Sequence, residues 1–549
     1  MNTPRATWLG TACLCTLLAS AQIELVKDFG PSNLDPFPKE LTASGGLLYF
    51  LAYEASTGWE VWKSDGTTNG TALLKDINPG TNGSVFQGNW LTDVGGTLYF
   101  TADDGVHGRE LWKSDGTDAG TVMVRDLSAG AAESIPAYIT DLGNGMVIFS
   151  ANDGTGTTVW ASDGSFGGTV KAYMGLLEPY AMRPIVIDGI AFFSAYSDIT
   201  NNYALWRSDG TIGGTGLVKD VWPGSTSAGI NALTAMDGYF YFTATNGVDG
   251  NELWRSDGLS VNTGMVADIN PGSGGSDPNS LTRLNDELYF AANDGVNGRS
   301  LFKAVTGGGG VEQLTTGIFF TGGFAATNGY IGTAGNTLLF LGYDAAHGVE
   351  LWTSDGTVAG TVLLTDIVPG PDNSLGELSL FRSVGDSVFF SGYSAATGWE
   401  LWVSDGTAAG TNLVQDRYAT FGDSFFPEEL TALGNDLYMR GTTYNLGKEL
   451  FRLGLNGPVS IARVPHDVGT LSTWPNPAHE RFTVHGWPEG PPVRTSLQDM
   501  HGRQLPLVAQ ERQAGTLELS LPEGLAAGVY VLSLLTHDGA IRTLRVVVE

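Results

Sequence analysis

The sequence predicts an all-β protein: a β-propeller of eight or nine four-stranded repeats of ~48 residues, followed by a small Ig-like β-sandwich. The first observation is a repeated segment, ELWKSDGT at Glu110–Thr117. Copies of it are centred on Trp62, Trp160, Trp206, Trp254, Trp352 and Trp402, and two degenerate copies carry Phe302 and Phe451 instead. We name these central aromatic residues the anchors. Successive anchors lie 46 to 50 residues apart, so one supersecondary unit is used about nine times.

The second observation is the order of strand and turn signals inside a unit, read from residue 96 to residue 142. A β-prone stretch at 96–102 precedes Asp-Asp-Gly, a hairpin signal. Strand patterns follow at 108–113 and 121–127, with Ser-Asp-Gly-Thr between them, and a weaker one lies at 138–142. Sustained helical periodicity is absent from the sequence, which favours an antiparallel sheet in every unit.

The ends of the repeat region, residues 22–465, favour a closed ring over an open β-solenoid, the alternative fold. Residues 23–28 (IELVKD) match the third strand of a unit, whereas the last unit has a poor third strand at 459–464. We therefore expect the N-terminal strand to complete or flank the last blade. Counting copies does not separate eight blades from nine, or one ring from two.

Composition excludes several classes of protein. The chain has 549 residues, 77 glycines and a net charge of −30. Such acidity argues against binding nucleic acid through phosphate contacts and against docking on an anionic membrane. No segment is long and apolar enough for a transmembrane helix, so none is expected.

The N-terminus has the pattern of a signal peptide over residues 1–21. Arg5 precedes an apolar stretch, and Ala19-Ser20-Ala21 forms a small-x-small site that predicts cleavage between Ala21 and Gln22. Both cysteines of the chain lie within this segment. The mature protein is therefore expected to have no disulfide and no cysteine-ligated metal.

The anchor tryptophans are interpreted as core residues, because repeated large apolar residues in strands usually pack. Trp59 and Trp399 differ, since only two units place a Trp before the repeated Glu. These two are the candidates for ligand stacking, with a carbohydrate as the expected partner of the rings.

The repeated carboxylates have a structural interpretation. Each Asp before Gly in Ser-Asp-Gly accepts bonds from nearby backbone amides in a turn, and each repeated Glu is expected to bond backbone or hydroxyl groups. Calcium is the alternative for Asp103-Asp104-Gly105, Asn152-Asp153-Gly154 and Asn293-Asp294-Gly295. No copy has the full calcium-loop spacing, so no cofactor and no metal ligand is assigned.

Catalytic patterns are weak, and no catalytic residue is assigned. His107 and His347 occupy equivalent turns, and the other five histidines lie at 466 or beyond, so partners for a triad or zinc site are missing from the repeats. Acidic residues are plentiful, so catalysis of polysaccharide cleavage by a pair of carboxylates remains an alternative.

The third observation is a change of composition after the repeats. Residues 471–549 carry eight acidic and six basic residues, against the strong acidity before them. The stretches Trp474-Pro475-Asn476-Pro477, Asp499 to Arg503 with Gly502, and Leu525 to Leu532 with Gly528 and Tyr530 stand in this order. Together they resemble the C-terminal sorting domain of the type IX (Por) secretion system. Its matching motif positions here are Pro475, Asn476, Pro477, Gly502, Gly528 and Tyr530.

The repeats themselves resemble the ELWxxDGT repeat family, over nearly all of residues 22–465. The two resemblances imply a Bacteroidetes-type protein that is secreted or held on the outer cell surface, with the type IX machinery as a partner. They bring no established activity. We expect a non-catalytic binding or adhesion module for a glycan or protein; a propeller-fold polysaccharide lyase or hydrolase and a structural surface-layer component are the alternatives.

Overall fold

The computed structural model describes residues 22–29, 38–85, 91–179, 184–224, 227–236, 238–305, 310–316, 318, 331–376, 379–417, 424–443 and 447–455. After residue 471 it describes the backbone of eight strands. The chain divides into two compact units, one up to Ile461 and one from Ala462.

The first unit is a β-propeller of nine blades, each built around a four-stranded antiparallel sheet. The N-terminal strand is β1 (Ile23–Lys27). Blade 1 contains β2 (Lys39–Ser44), β3 (Leu47–Glu54), β4 (Gly58–Ser64) and β5 (Ala72–Leu73). Blade 2 contains β6 (Thr92–Val94), β7 (Thr97–Asp103), β8 (Arg109–Ser114) and β9 (Val122–Arg125). Blade 3 contains β10 (Ala137–Asp141), β11 (Val147–Asn152), β12 (Thr157–Ser162) and β13 (Val170–Lys171).

Blade 4 has a divided first strand, since β14 (Leu177–Pro179) and β15 (Ile185–Ile187) both pair with β16 (Ile190–Ser197). The blade continues with β17 (Tyr203–Ser208) and β18 (Gly216–Lys219). Blade 5 contains β19 (Asn231–Met236), β20 (Tyr239–Thr245), β21 (Asn251–Ser256), a 3₁₀ turn at Ser260–Asn262 and β22 (Gly264–Ala267). Blade 6 contains β23 (Asn279–Leu284), β24 (Glu287–Asn293), β25 (Arg299–Ala304) and β26 (Val311–Gln313).

Blade 7 contains β27 (Ile331–Ala334), β28 (Thr337–Asp344), β29 (Gly348–Ser354) and β30 (Val362–Thr365). Blade 8 contains β31 (Arg382–Val384), β32 (Ser387–Ser394), β33 (Gly398–Ser404) and β34 (Asn412–Gln415). Blade 9 contains β35 (Glu428–Leu433), β36 (Asp436–Thr443) and β37 (Gly447–Gly454), and β1 is its fourth strand.

The two ends of the repeat region close the ring, as the sequence predicts. β1 runs antiparallel to β37, with Ile23 opposite Leu453 and Leu25 opposite Phe451. The first strand of blade 1, β2, lies beside the first strands of both neighbours, β6 of blade 2 and β35 of blade 9. The fold is therefore one closed ring of nine blades, and the alternatives of eight blades, two rings or an open solenoid are excluded.

Strand grouping differs from the unit read off the sequence at 96–142. The predicted fourth strand of that unit is β10, which pairs with β11 and opens blade 3. The fourth member of the blade 2 sheet is instead β6, which precedes β7 across a two-residue turn. The predicted repeat period was correct, but the predicted unit began with β7, one strand later than the blade itself does.

The core lies between successive blades. The layer between blades 9 and 1, for example, contains Val26, Phe50, Trp62, Tyr438 and Leu450, all buried. This arrangement confirms the interpretation of the anchors: Phe302, Phe451 and every anchor Trp except Trp402 are buried, and Trp402 is half-buried against the same kind of layer. Truncating such a ring costs on the order of 3–5 kcal/mol.

Basic side chains join successive blades at their outer ends. Lys63 Nζ of blade 1 donates to Gly116 O of blade 2 at 2.6 Å, and Lys75 Nζ donates to Thr121 O at 2.9 Å. Arg125 of blade 2 donates to Thr169 O of blade 3 at 2.6 Å in the same way. Each cation thus satisfies carbonyls in the turn of the following blade, which holds neighbouring repeats in register.

The second unit consists of two antiparallel four-stranded sheets. One contains β38 (Ser472–Trp474), β39 (Arg481–His485), β42 (Val508–Gln513) and β43 (Thr516–Ser520). The other contains β40 (Arg494–Asp499), β41 (Gln504–Leu505), β44 (Gly528–Leu535) and β45 (Ile541–Val548). The all-β character of this unit agrees with the prediction, and the Ig-like sandwich stays a prediction.

Candidate functional site

The Ser-Asp-Gly-Thr segment forms a closed hydrogen-bonded turn. In blade 1, Asp65 Oδ1 accepts bonds from Thr67 N at 2.9 Å and Thr67 Oγ1 at 2.7 Å. Ser64 Oγ accepts from Gly66 N at 3.0 Å and bonds Thr71 Oγ1 at 2.6 Å. The two bonds from Thr67 lower the pKa of Asp65. The same bonds recur around Asp115, Asp355 and Asp405, so these carboxylates act in turns, as the sequence indicates.

The repeated Glu before the anchor is a buried connector. Glu110 is fully buried, and its carboxylate accepts from Leu127 N at 3.1 Å, Ser128 N at 3.4 Å and Ser134 Oγ at 2.6 Å. Burial raises its pKa to about 7, although these three donors favour the ionised form. Equivalent glutamates with a raised pKa are Glu60, Glu252, Glu350, Glu400 and Glu449. Their recurrence in six blades makes them part of the scaffold.

The Asp-Asp-Gly turns use their carboxylates internally. Asp104 accepts from Val106 N, from His107 N and from the His107 ring, whose Nδ1 lies 2.7 Å from Asp104 Oδ2. Asp294 accepts from Val296 N and from the side chain of Asn297. Asp153 forms an ion pair with Lys171 at 2.8 Å. Within the described residues, no group of three His, Cys, Asp or Glu side chains is arranged to hold a metal ion.

The two candidate tryptophans occupy equivalent places, each half-buried and each opposite a tyrosine across a hairpin. The ring centroids of Tyr53 and Trp59 lie 6.0 Å apart, and those of Tyr393 and Trp399 lie 5.7 Å apart. Lys39 Nζ lies 4.1 Å from the centroid of the Trp59 ring. Because Trp59 belongs to blade 1 and Trp399 to blade 8, blade 9 separates the two rings around the propeller.

A third pair of this kind was missed from the sequence, because it contains no Trp. Tyr196 lies opposite Tyr203 in blade 4, with ring centroids 5.6 Å apart. All three pairs stand beside the turn between the second and third strands. We name the side of the propeller that carries these turns the hairpin face. Comparing that one position in all nine repeats would have revealed the third pair.

A concave site of about 820 Å³ lies along the first strands of the blades, and we name it the central channel. First strands of blades 1, 2, 3, 8 and 9 line it, and Glu40, Tyr138, Arg382 and Glu429 are among the lining residues. Glu40, Tyr138 and Glu429 share one β-bulge position and have positive φ angles of 58°, 57° and 57°. Ala232 and Ser280 have the same backbone conformation, with φ of 54° each, at the equivalent bulge of blades 5 and 6, so the bulge is a repeated element of the scaffold.

Sequence reasoning did not identify this channel, because its lining residues come from six separate repeats. One signal was present nonetheless. Arg382 stands where six other repeats have a threonine, namely Thr42, Thr92, Thr140, Thr234, Thr282 and Thr431, each opposite the same position of the second strand. A residue that departs from the repeat at a site facing the channel is a functional candidate.

The remaining predicted residues lie at the ends of the chain. Gln22 is exposed just before β1, while Ala21 is outside the described residues. Gly528 and Tyr530 lie on β44, opposite Val548 and Val546 of β45. Pro475, Asn476, Pro477 and Gly502 are outside the described residues. In the described part of the chain, nothing helical has the length and apolar character of a membrane span.

Comparison with solved structures gives distant likenesses. A puromycin hydrolase shares 11% identity at a TM-score of 0.40, over 76% of this chain and 62% of that one. A puromycin-hydrolyzing peptidase of Mycobacterium tuberculosis shares 13% at 0.37, over 76% and 59%. An oligogalacturonate lyase in complex with manganese shares 13% at 0.33, over 58% and 88%. The chain thus spans about three fifths of the two hydrolases, and scores this low carry no argument about activity. No family model and no curated protein matches the chain.

Proposed function

We propose that this protein is a non-catalytic binding module of the bacterial cell exterior, and that its hairpin face holds a glycan. The observation that carries the proposal is the set of three half-buried aromatic pairs, Tyr53–Trp59, Tyr196–Tyr203 and Tyr393–Trp399, on one face of the ring. Aromatic rings at this level of exposure are typical platforms for sugar rings, since each offers an apolar body beside water.

The repeat supports a binding role over a catalytic one. Among the residues that the structure describes, the carboxylates with a raised pKa are the six buried glutamates, which recur from blade to blade in the scaffold. A catalytic pair belongs to one site and should break the repeat. A rigid ring that presents variable positions is well suited to recognition.

The export route belongs to the same proposal. The signal-peptide pattern before Gln22 and the motif positions from Pro475 to Tyr530 favour passage through the type IX machinery to the medium or the outer surface. A fractionation experiment tests this step: the protein should lie outside the outer membrane, and removal of residues 466–549 should retain it in the periplasm.

Binding is tested with the purified chain from Gln22 and a panel of insoluble polysaccharides. Protein depletion and released sugar ends are measured in the same tube. We expect depletion onto at least one polymer without released ends, and a loss of about tenfold in affinity when Trp59→Ala and Trp399→Ala are combined. Val296→Ala, at an exposed hairpin tip of blade 6 without an aromatic pair, is the control and should bind normally.

Other results would replace this proposal with a named alternative. Released sugar ends would make the protein a polysaccharide lyase or hydrolase. Self-association without any bound polymer would support a structural surface-layer component.

A further inference from the structure

The wall of the central channel is ordered in layers by strand register. Glu40, Tyr138 and Glu429 occupy the layer nearest the hairpin face, because their position begins the first strand. The next layer is formed by threonines of blades 1, 2, 3 and 9 and by Arg382 of blade 8. A ligand that enters from the hairpin face therefore meets two carboxylates and an aromatic ring before it meets the guanidinium.

The threonine hydroxyls of the wall already donate their protons to backbone carbonyls. Thr92 Oγ1 donates to Ile139 O at 3.0 Å, and Thr431 Oγ1 donates to Leu41 O at 3.2 Å. Thr140 Oγ1 donates to Tyr138 O at 2.9 Å. A hydroxyl has one proton to donate but two acceptor sites, so these groups offer acceptors to the channel. With the carboxylates added, this wall accepts many hydrogen bonds and donates few.

Arg382 is the exception on this wall. Its side chain is accessible to solvent, yet it is enclosed by the channel, and this desolvation lowers the pKa of the guanidinium from its ordinary value. Among the residues that the structure describes, no carboxylate forms an ion pair with it. An arginine stays charged at any physiological pH and presents a planar donor fork that fits a carboxylate.

We propose that the channel binds the end of a glycan chain through a single acidic sugar, with Arg382 holding the sugar carboxylate and Glu40 and Glu429 accepting its hydroxyls. The ligand class follows from the balance of donors and acceptors. A sugar supplies several hydroxyl donors, whereas a peptide supplies a carbonyl acceptor at every residue, for which this wall has few donors. A polyanion is disfavoured, because four lining carboxylates, Glu40, Asp93, Asp141 and Glu429, face one arginine. The inference rests on the proposed glycan binding and specifies its chemistry.

The test uses two soluble probes, xylotetraose and the same oligosaccharide carrying one terminal glucuronic acid. Their binding to the full chain from Gln22 is measured by calorimetry at low and high salt. We expect the acidic probe to bind at least about tenfold more tightly than the neutral one, with a preference that falls as salt rises.

The matched variant is Arg382→Thr, which restores the residue found at this position in six other repeats and is therefore compatible with the fold. It should abolish the preference for the acidic probe, while Arg382→Lys should keep part of the preference. Equal binding of the two probes, undetectable binding of both, or an unchanged preference in Arg382→Thr would overturn the proposal. If polysaccharide binding persists and depends on Trp59 and Trp399 alone, the channel proposal fails while the binding function stands.

Discussion

At the scale of single residues, the repeat preserves groups that satisfy the backbone inside tight turns. In blade 3, the glycine five residues after the Asp of the Ser-Asp-Gly turn shows how narrow the requirement is. A Cβ at Gly168 would overlap the carboxylate of Asp163, which accepts a bond from Ser165 N at 2.8 Å. The neighbouring Gly167 meets nothing within 4 Å and does not have a positive φ. Two adjacent glycines in one turn thus serve different purposes.

This contrast predicts the outcome of two alanine substitutions in blade 3. Gly168→Ala should destabilise the protein by about 1–3 kcal/mol, because the methyl group displaces Asp163 and breaks the turn. Gly167→Ala should be neutral or slightly stabilising, because it restricts the unfolded chain without a clash. Chemical denaturation of both variants provides the measurement, and equal losses would show that the Asp163 carboxylate moves aside without cost.

At the scale of one blade, the buried glutamate links the third strand to the connection that leads to the next blade. Glu350, for instance, accepts from Ile367 N at 2.9 Å and Ser374 Oγ at 2.5 Å. The bonds fix a connection that has little regular structure of its own. Burial holds the pKa of Glu350 at about 7, so protonation of this connector falls in the neutral range.

The raised pKa values predict how stability depends on pH. Between the unfolded pKa of 4.5 and about 7, the folded protein binds more protons at Glu110 than the unfolded chain does. The contribution of protonated Glu110 to the free energy of unfolding is therefore fully present below pH 4.5 and is lost as the pH rises through about 7. The turn aspartates, whose pKa is lowered, act in the opposite direction and lose their contribution as pH falls through the acid range.

We therefore expect the melting temperature to be highest near pH 5 and to fall toward pH 8. Glu110→Gln should flatten this fall, since the amide keeps the acceptor oxygen and does not ionise. Glu54→Gln, at an exposed hairpin position, is the control and should follow the parent curve. Melting temperatures are measured from pH 4 to pH 9 for the parent and both variants. Parallel pH curves for all three proteins would contradict a raised pKa of Glu110 in the folded state.

At the scale of the whole molecule, the ring is held closed by a strand that lies almost the full repeat region away from its partner. Ile23 and Val26 are buried in β1, and Phe29 N donates to Glu449 Oε2 at 2.9 Å. Arg417 donates to Ile23 O at 2.8 Å, and Arg452 forms an ion pair with Glu24 at 2.8 Å. Blade 9 is therefore incomplete until both ends of the propeller are present.

Deletion of residues 22–29 should open the ring. We expect a lower melting temperature, a larger radius in X-ray scattering and rapid proteolysis in blade 9, because Leu450 and Phe451 lose their cover. A permuted chain that carries residues 22–29 after Gly454, joined by a copy of the Asp405–Gly410 turn, should restore all three properties. If the deleted chain stays compact and protected, the N-terminal strand does not close the ring.

The sequence by itself determined the strands, the turns, the packing role of the anchors and the strand that closes the ring. These features depend on bonds between residues a few positions apart or on side-chain periodicity, as in Asp65 with Thr67. The tertiary structure alone decided that nine blades form one ring, that β6 rather than β10 belongs to blade 2, and that Arg382 faces the channel with Glu40 and Glu429. Blade number depends on the small angle between neighbouring blades, which the packing of every interblade layer sets together. No local sequence pattern shows the combined effect of all these layers, and a channel lined by six separate repeats exists only after the ring has closed.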